Sequence, residues 1–214
     1  MKLDLIITGY TNMSGDFRCI SGYDLEKKRF LRPLLRDSRT DVAFSSQHLK
    51  EIKMFRKVTF EIDEFFQSEK PHIEDFYVKY EILNSKIIYN TKQEIQHFLG
   101  FISDDSIEEV YGDFIEIING SPTVPKDLGK RSLGVVIAKK CKVYVNSQGR
   151  TRVDLCDKTG YELNNVPCVA HDEEYRSPGL YSDIPIRLGL TRLWKKDGMD
   201  ESAHWIQISG VFPL

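Results

Sequence analysis

The stretch GDFRCISGYDLEKKRFLRPL, residues 15–34, indicates the fold most clearly. Its first part, FRCISGY, alternates side chains in the way a strand does, and its last part, RFLRPL, is again apolar and strand-like. The charged run DLEKK between them is typical of a turn, so the stretch predicts a β-hairpin. The predicted strands contain three arginines, Arg18, Arg29 and Arg32. Their positions need an explanation, because one face of a strand is normally buried and arginine is charged.

Further strand signals lie on both sides of this hairpin. LDLIIT precedes it, FRKVTFEIDEFF follows a polar loop at residues 35–48, and the second half contains SLGVVIAKKCKVYV, IPIRLGLTRLW and HWIQISGVFPL. Thr91 and Glu94 form a capping box before a helical pattern, and a second short helix is predicted at residues 106–111. Many short strands with turns between them predict a mainly β chain with one or two short helices (α+β), built as small β-barrels.

The length of 214 residues fits two domains of about a hundred residues each. Residues 119–130 are rich in Gly, Pro and Lys and are the predicted linker. We therefore predict a first barrel at 1–120, with an acidic, partly helical insertion at about 65–118, and a second barrel at 121–214.

Charge is distributed unevenly along the chain, although the net charge is only −2. Residues 1–50 and 121–214 each have an excess of three positive charges, whereas residues 51–120 have an excess of eight negative charges. Any polyanionic partner is therefore expected at the two ends of the sequence. The sequence has no apolar run of about 18 residues and a poor signal peptide, which predicts a cytoplasmic protein without a membrane partner.

The sequence contains no motif that points to catalysis. It has no P-loop, dinucleotide fingerprint, H-E-x-x-H or G-x-S-x-G motif, and its cysteines are far apart and expected to be reduced. Two sets of residues could bind a metal: Cys168 with His171, and the acidic run Asp172, Glu173 and Glu174. Adjacent acids are more often a solvated turn, so no cofactor and no metal are expected, and enzymatic activity is not supported.

Cations and aromatic residues on strands are the remaining candidates for a binding site. A guanidinium pairs with phosphate and a ring stacks on a base, which is the combination that single-stranded nucleic acids require. The same residues could instead be core side chains or arginines paired with the acidic middle of the chain. The candidates are Arg18, Arg32, Arg187, Arg192, Trp194, Trp205 and Gln207.

Several of these motifs resemble the dual OB-containing domain family. RCISGYDLEKKRFLRPL is similar to the opening of that family, and LKEIKMFRKVTFEI is similar to its next strand. VAHDEEY, IRLGLTRLW and HWIQISGVF resemble its closing elements, although VAHD departs from the expected V-T-D form. The resemblance covers both ends of the chain and implies two OB-like barrels with a nucleic-acid-binding role, in bacterial mobile-element or defence contexts.

The resemblance also implies roles for individual residues. Gly22 and Gly210 are expected where strands bend, whereas the arginines, Trp205 and Gln207 are expected to face the ligand. The nucleic-acid-binding residues predicted in this way are Arg18, Arg32, Arg187, Arg192, Trp205 and Gln207, with the arginines lining one groove. Two other functions remain open: a protein–protein adaptor for a nuclease or ATPase, and a domain that senses a nucleotide or another anion.

Overall fold

The structure, a computed structural model, describes residues 1–13, 15–36, 41–42, 44–45, 52–64, 69–195 and 202–213. The chain divides into two compact units. The first unit comprises Met1–Ser68 and Glu74–Ile95, and the second comprises Glu69–Ile73 and Gln96–Leu214. In the part of the chain that the structure describes, neither helix has the length and apolar character needed to cross a membrane.

Seven strands form the sheet of the first unit. They are β1 (Lys2–Asn12), β2 (Phe17–Asp24), β3 (Arg29–Arg36), β4 (Asp41–Val42), β5 (Phe44–Ser45), β6 (Arg56–Glu64) and β7 (Asp75–Ile87). Strand β1 pairs antiparallel with both β2 and β6, β2 pairs with β3, β3 pairs parallel with β7, and β7 pairs with β6. Five of the strands therefore close on themselves in the order β1-β2-β3-β7-β6, which gives a barrel-like sheet.

Alternation of apolar and polar residues along β1 directs one face of this sheet inward. Leu3 and Leu5 lie opposite Phe60 and Val58 of β6, and all four side chains are buried in the core of the first unit. Between them, Asp4 faces outward and accepts hydrogen bonds from Lys57 Nζ at 2.8 Å and Thr59 Oγ1 at 2.6 Å. The period of two in the sequence thus fixes the register of β1 on β6.

The predicted hairpin of residues 15–34 is confirmed as β2 and β3. Its turn is held by Asp24, whose Oδ1 accepts the backbone N–H groups of Glu26 and Lys27 at 2.9 and 3.1 Å. Gly22 lies where β2 approaches β1 closely, since a Cβ atom there would be 2.7 Å from the carbonyl oxygen of Ile6. The register of the β1–β2 pair shifts at the same place, which agrees with the expected bend.

In the part of the chain after β7 that the structure describes, there are two α-helices and eight strands. They are α1 (Lys92–Phe101), α2 (Ile107–Tyr111), β8 (Glu116–Ile118), β9 (Ser121–Pro125), β10 (Leu133–Val145), β11 (Thr151–Asp157), β12 (Glu162–Pro167), β13 (Gly179–Tyr181), β14 (Ile184–Leu190) and β15 (Ala203–Val211). The order of the sheet is β12-β11-β10-β14-β15-β9-β8, and β13 also pairs with β10.

The sheet of the second unit curves back on itself. The chain just after β12 meets β15, where Cys168 forms a parallel bridge with Ile208 and the N–H of Val169 donates to the Ile208 carbonyl at 2.8 Å. Strands β10, β11, β12, β14 and β15 thereby enclose an apolar core. Its buried side chains include Val136, Val143, Val153, Leu155, Leu163, Val166, Ile186, Leu188, Ile206 and Ile208.

Both predicted helices are confirmed, and so is the capping box of α1. The N–H of Glu94 donates to Thr91 Oγ1 at 3.2 Å, while the N–H of Thr91 donates to Glu94 Oε2 at 2.9 Å. Helix α2 begins after Ser106, whose hydroxyl accepts the N–H of Glu109 at 3.0 Å. The first turn of each helix is therefore stabilised by residues that are adjacent in sequence.

The predicted fold class is confirmed: the chain is mainly β, with two short helices and two barrel-like sheets. The division into units differs from the predicted boundary at residue 120. Strand β7 belongs to the barrel of the first unit rather than to an insertion, because it pairs with β3 and β6. Residues 121–125 form a strand rather than a linker, because they pair with β15 and Val124 is part of the second core.

Two predicted loops lie largely outside the described residues. Within the loop predicted at 35–48, the structure describes β4 and β5 as short strands, and residues 37–40, 43 and 46–48 are not among the described residues. In the polar loop after β14, residues 196–201 are likewise outside the described range. Residues 191–195, which precede them, are described and matter for the site below.

Candidate functional site

Arg32 is buried in the first unit and paired with a carboxylate. Strand β3 places Arg32 beside Asp75 of β7, and the Nε atom of Arg32 lies 3.3 Å from Asp75 Oδ1. Both side chains are almost fully removed from solvent. The positive charge of Arg32 is therefore balanced inside the sheet, and its buried side chain is not exposed to a ligand.

Arg187 is buried in the second unit, with 0% of its surface exposed. Its Nη1 atom donates to the carbonyl oxygens of Gly134 at 2.9 Å and Leu188 at 2.6 Å. These bonds connect β10 and β14 within the sheet, so Arg187 has a structural role. Like that of Arg32, its side chain is not exposed to a ligand.

The remaining predicted residues have different environments. Arg18 is half-buried, and its Nη1 donates to the carbonyl oxygen of Phe17 at 2.8 Å, whereas Arg192 is exposed. Trp205 is a buried side chain of β15, and Gln207 is half-buried opposite Gly189. With two of the four arginines buried, the groove predicted to be lined by all four is not retained.

A different aromatic residue has the exposure that a stacking surface requires. Trp194 is 55% exposed, although it lies only four residues after the end of β14. Its backbone pairs with Ala203 of β15 through two hydrogen bonds, at 3.1 and 3.2 Å, and Nε1 of Trp205 donates to its carbonyl oxygen at 3.1 Å. The indole of Trp194 also meets the buried ring of Trp205 edge to face, with 6.2 Å between ring centroids.

We name residues 191–195, TRLWK, the Trp194 segment. Its first residue is fixed on β15, since Thr191 Oγ1 accepts the N–H of Trp205 at 2.9 Å and the N–H of Thr191 donates to the Trp205 carbonyl at 3.0 Å. Arg192 and Lys195 are both exposed and lie on either side of Trp194 in sequence. The segment therefore holds a largely exposed ring between two cations, on a backbone that is hydrogen-bonded to the sheet.

A second cation-rich surface lies on the β10–β11 hairpin of the same unit. The ammonium of Lys142 lies 5.3 Å from the centroid of the Tyr144 ring, and Tyr144 is the cross-strand partner of Arg152. Burial lowers the pKa of Arg152, and the positive charge of Arg150 lowers it further. The Tyr144 hydroxyl donates to the carboxylate of Asp154 at 3.3 Å. We name Lys142, Tyr144, Arg150 and Arg152 the hairpin cluster.

The outward face of β10 also borders a groove of about 410 Å³. Lys140 and Lys142 line one side of this groove, and Leu180 of β13, which is 81% exposed, lines another. Asn164 and Glu162 of β12 supply polar groups. The groove combines cationic, apolar and amide groups with the carboxylates of Glu162 and Asp154.

The residues considered for metal binding have other surroundings. Among the described residues, no group of three or more His, Cys, Asp or Glu side chains has the arrangement of a metal site. Glu173 begins a short 3-10 helix, Glu173–Arg176, and its carboxylate lies 3.6 Å from the guanidinium of Arg176. Cys168 is buried, which raises the pKa of its thiol to about 11 and leaves it protonated at neutral pH.

Sequence reasoning identified Arg192 and Trp194 as candidates but did not single out Lys195 or the hairpin cluster. The signal for Lys195 was its place next to Trp194 after a strand, where a loop presents side chains to solvent. The signal for the hairpin was the pair Arg150 and Arg152 after the turn NSQG, across from Lys142 and Tyr144.

Comparisons with known proteins give distant matches only. No family model matches the chain, and no curated protein matches it. A murine DNA binding protein bound with ds DNA is 11% identical, with 99% of this chain and 96% of that chain covered and a TM-score of 0.35. The tetrameric p202 HIN2 is 9% identical, with 97% and 92% covered and a TM-score of 0.30. Both TM-scores are below 0.5, so neither likeness leads to a conclusion about the function of this chain.

Proposed function

We propose that this chain binds single-stranded nucleic acid through the second unit, with the Trp194 segment as the stacking platform. The observation that carries the proposal is the 55% exposure of Trp194 on a backbone fixed by hydrogen bonds to β15. Large aromatic side chains are usually buried, and one that is held on the surface is available to stack on another flat ring. In this proposal, the exposed side chains of Arg192 and Lys195 contact the phosphates on either side of the stacked base.

The hairpin cluster supplies further cations in the same unit. Arg152 has no ion pair among the described residues, and the nearby charge of Arg150 adds to the positive potential there. Small β-barrels of the OB type bind oligonucleotides through the face of their second and third strands and through the loops before the second and fifth strands. If β10, β11, β12, β14 and β15 are counted as the five strands of such a barrel, the β10–β11 hairpin precedes the second strand and the Trp194 segment precedes the fifth, which supports the proposal.

The ligand is proposed to be single-stranded because only an unpaired base can offer its face to Trp194. In a duplex each face is already covered by its neighbours, so a surface indole has nothing on which to stack. The resemblance to the dual OB-containing domain family leads to the same class of ligand. It also underlies the finer proposal that both units are OB-like barrels and that the chain is an accessory in a bacterial defence or mobile-element system.

The proposal is tested by fluorescence anisotropy with a labelled 20-nucleotide single strand, as DNA and as RNA. We expect Trp194→Ala to weaken binding by about 1–3 kcal/mol, which is roughly 5-fold to 150-fold, because one stacked base is lost. Phe101→Ala removes another exposed aromatic residue, at the end of α1, and is the matched control that should bind like the parent chain. Equal binding by Trp194→Ala and the parent, or tighter binding of a duplex than of a single strand, contradicts the proposal.

The cations of the Trp194 segment should determine part of the salt dependence. For single strands, the slope of log K against log salt is about −0.7 per phosphate contact. The double variant Arg192→Ala/Lys195→Ala should therefore reduce the magnitude of the slope by about 1.4, if each cation meets one phosphate. Lys158→Ala, which removes an exposed lysine from the turn between β11 and β12, should leave the slope unchanged. An identical slope in the double variant and the parent contradicts the assignment of these two cations.

A further inference from the structure

The carbonyl oxygen of Thr191, at the start of the Trp194 segment, is contacted by two histidines. Nε2 of His72 lies 3.1 Å from this oxygen, and Nδ1 of His204 lies 3.0 Å from it. The two ring nitrogens are 3.4 Å apart, and the rings meet edge to face with 5.1 Å between centroids. Both side chains are buried, with 5% of His72 and 4% of His204 exposed.

These distances define the protonation of both rings. A carbonyl oxygen can only accept, and it has two lone pairs, so it can receive one N–H from each ring. This places the proton of neutral His72 on Nε2 and that of neutral His204 on Nδ1. The two donors come from different parts of the second unit, since His204 belongs to β15 and His72 to Glu69–Ile73. Together they fix the carbonyl from which the Trp194 segment continues.

The surroundings of His204 disfavour a positive charge on its ring. Burial lowers the pKa of His204, and the charge of Arg192 lowers it further, whereas the hydrogen bond to Thr191 and the carboxylate of Asp127 act in the opposite direction. His72 is a further titratable group in contact with this ring. Because the pKa of the folded state lies below the ordinary value of 6.5, the unfolded segment takes up protons first as the pH falls. The contact is thus fully stable above pH 6.5 and is progressively weakened below it.

We propose that His72 and His204 are positioning residues for the Trp194 segment, and that their contact with the Thr191 carbonyl makes nucleic-acid binding sensitive to acid. The regulatory part of this inference rests on the proposed function. Acidification favours the open form of this contact, because a histidine ring binds a proton more readily in water than in its buried position. The Trp194 segment then loses its fixed first residue, and the indole is no longer held for stacking. With one proton linked to opening, binding should weaken by up to about tenfold for each pH unit below 6.5.

The test uses Trp194 itself as the reporter, in the absence of nucleic acid. The chain has two tryptophans, so Trp205→Phe leaves Trp194 as the single emitter. This substitution removes the Trp205 Nε1 donor, but the backbone N–H of Ala203, which donates to the Trp194 carbonyl in the parent chain, is kept. Acrylamide quenching and the emission maximum of Trp194 are recorded from pH 8 to pH 5, in buffers with and without EDTA. We expect the accessibility of Trp194 to rise as the pH falls below 6.5.

Substitutions that keep the donor but remove the titration separate positioning from simple acid denaturation. Gln at 72 and Asn at 204 each present an N–H close to the position of the original nitrogen and do not ionise. His72→Gln/His204→Asn, made in the Trp205→Phe chain, should keep Trp194 fixed down to pH 5. His97→Asn removes an exposed histidine from α1 and should leave the pH response intact.

Each outcome bears on the inference. An unchanged pH response in the His72→Gln/His204→Asn chain, or no response of Trp194 in the Trp205→Phe chain, overturns it. A response seen only without EDTA also overturns it, because a bound metal rather than a proton would then be responsible. A chain that shows the histidine-dependent response but binds no nucleic acid supports the positioning role and refutes the proposed function. A chain that binds nucleic acid equally at pH 8 and pH 5 refutes the regulatory role.

Discussion

We expect Asp157→Ala to destabilise the second unit by about 3–5 kcal/mol, since it leaves several buried donors without an acceptor. Asp157 is 0% exposed, and its carboxylate accepts four hydrogen bonds. Oδ2 accepts the N–H of Ile107, the first residue of α2, at 2.9 Å. Oδ1 accepts the N–H and hydroxyl of Thr159, at 2.9 and 2.6 Å, and the N–H of Tyr161, at 3.0 Å. One side chain thus holds both the start of α2 and the turn from β11 to β12.

The measurement is urea unfolding followed by tryptophan fluorescence. Both tryptophans, Trp194 and Trp205, belong to the second unit, so this signal reports that unit and not the first. Asp157→Asn keeps one oxygen as an acceptor for the turn but points its NH₂ group at a backbone donor. It should therefore lower the free energy of unfolding by about 1–3 kcal/mol. Asp113→Ala, at an exposed carboxylate, should change the free energy of unfolding by less than about 0.5 kcal/mol. If Asp157→Ala lowers the free energy of unfolding by less than about 1 kcal/mol, the four hydrogen bonds do not stabilise the unit as argued.

Arg187→Ala should have an effect of similar size on stability, about 3–5 kcal/mol, and none on the binding surface. The substitution leaves a cavity among buried residues of β14 and removes the donor from the carbonyl oxygens of Gly134 and Leu188. Arg187→Lys keeps the charge but presents a single ammonium instead of a planar fork, so it should be intermediate.

Two readouts separate a structural arginine from one that binds ligand. Urea unfolding gives the stability of Arg187→Ala, and Arg150→Ala, at an exposed arginine of the same unit, is the control that should unfold like the parent. Anisotropy at low temperature, corrected for the folded fraction, gives the affinity. If Arg187→Ala unfolds like the parent chain but binds single strands more weakly, then Arg187 belongs to the interface and its assignment here is wrong.

Local features were predictable from the sequence because the residues that specify them are close together. The β2–β3 hairpin follows from alternation on either side of a charged turn, and the capping box of Thr91 and Glu94 follows from a spacing of three. Strand β7 was assigned to an insertion because its place in the barrel depends on parallel pairing with β3, about forty residues away. Nothing in a short window specifies such a pairing.

Burial of charged and aromatic residues was harder to predict than the strands themselves. Arg187 lies in IPIRLGL, a strand buried along its whole length, and its charge suggested an exposed position because arginines are rarely buried. Trp194 and Trp205 gave similar sequence signals, yet one is exposed and the other is part of the core. The difference arises from the pairing of Trp194 with Ala203, a tertiary contact across a loop.

The most direct test of the account is the emission of Trp194 in the Trp205→Phe chain, titrated with a single-stranded oligonucleotide at low salt and pH 8. Circular dichroism first establishes that the variant is folded. If a base stacks on Trp194, its emission is quenched, and the quenching saturates at the same oligonucleotide concentration as the anisotropy of the labelled strand. An oligonucleotide that saturates the anisotropy while the emission of Trp194 stays constant, or one that does not bind at all, contradicts the account.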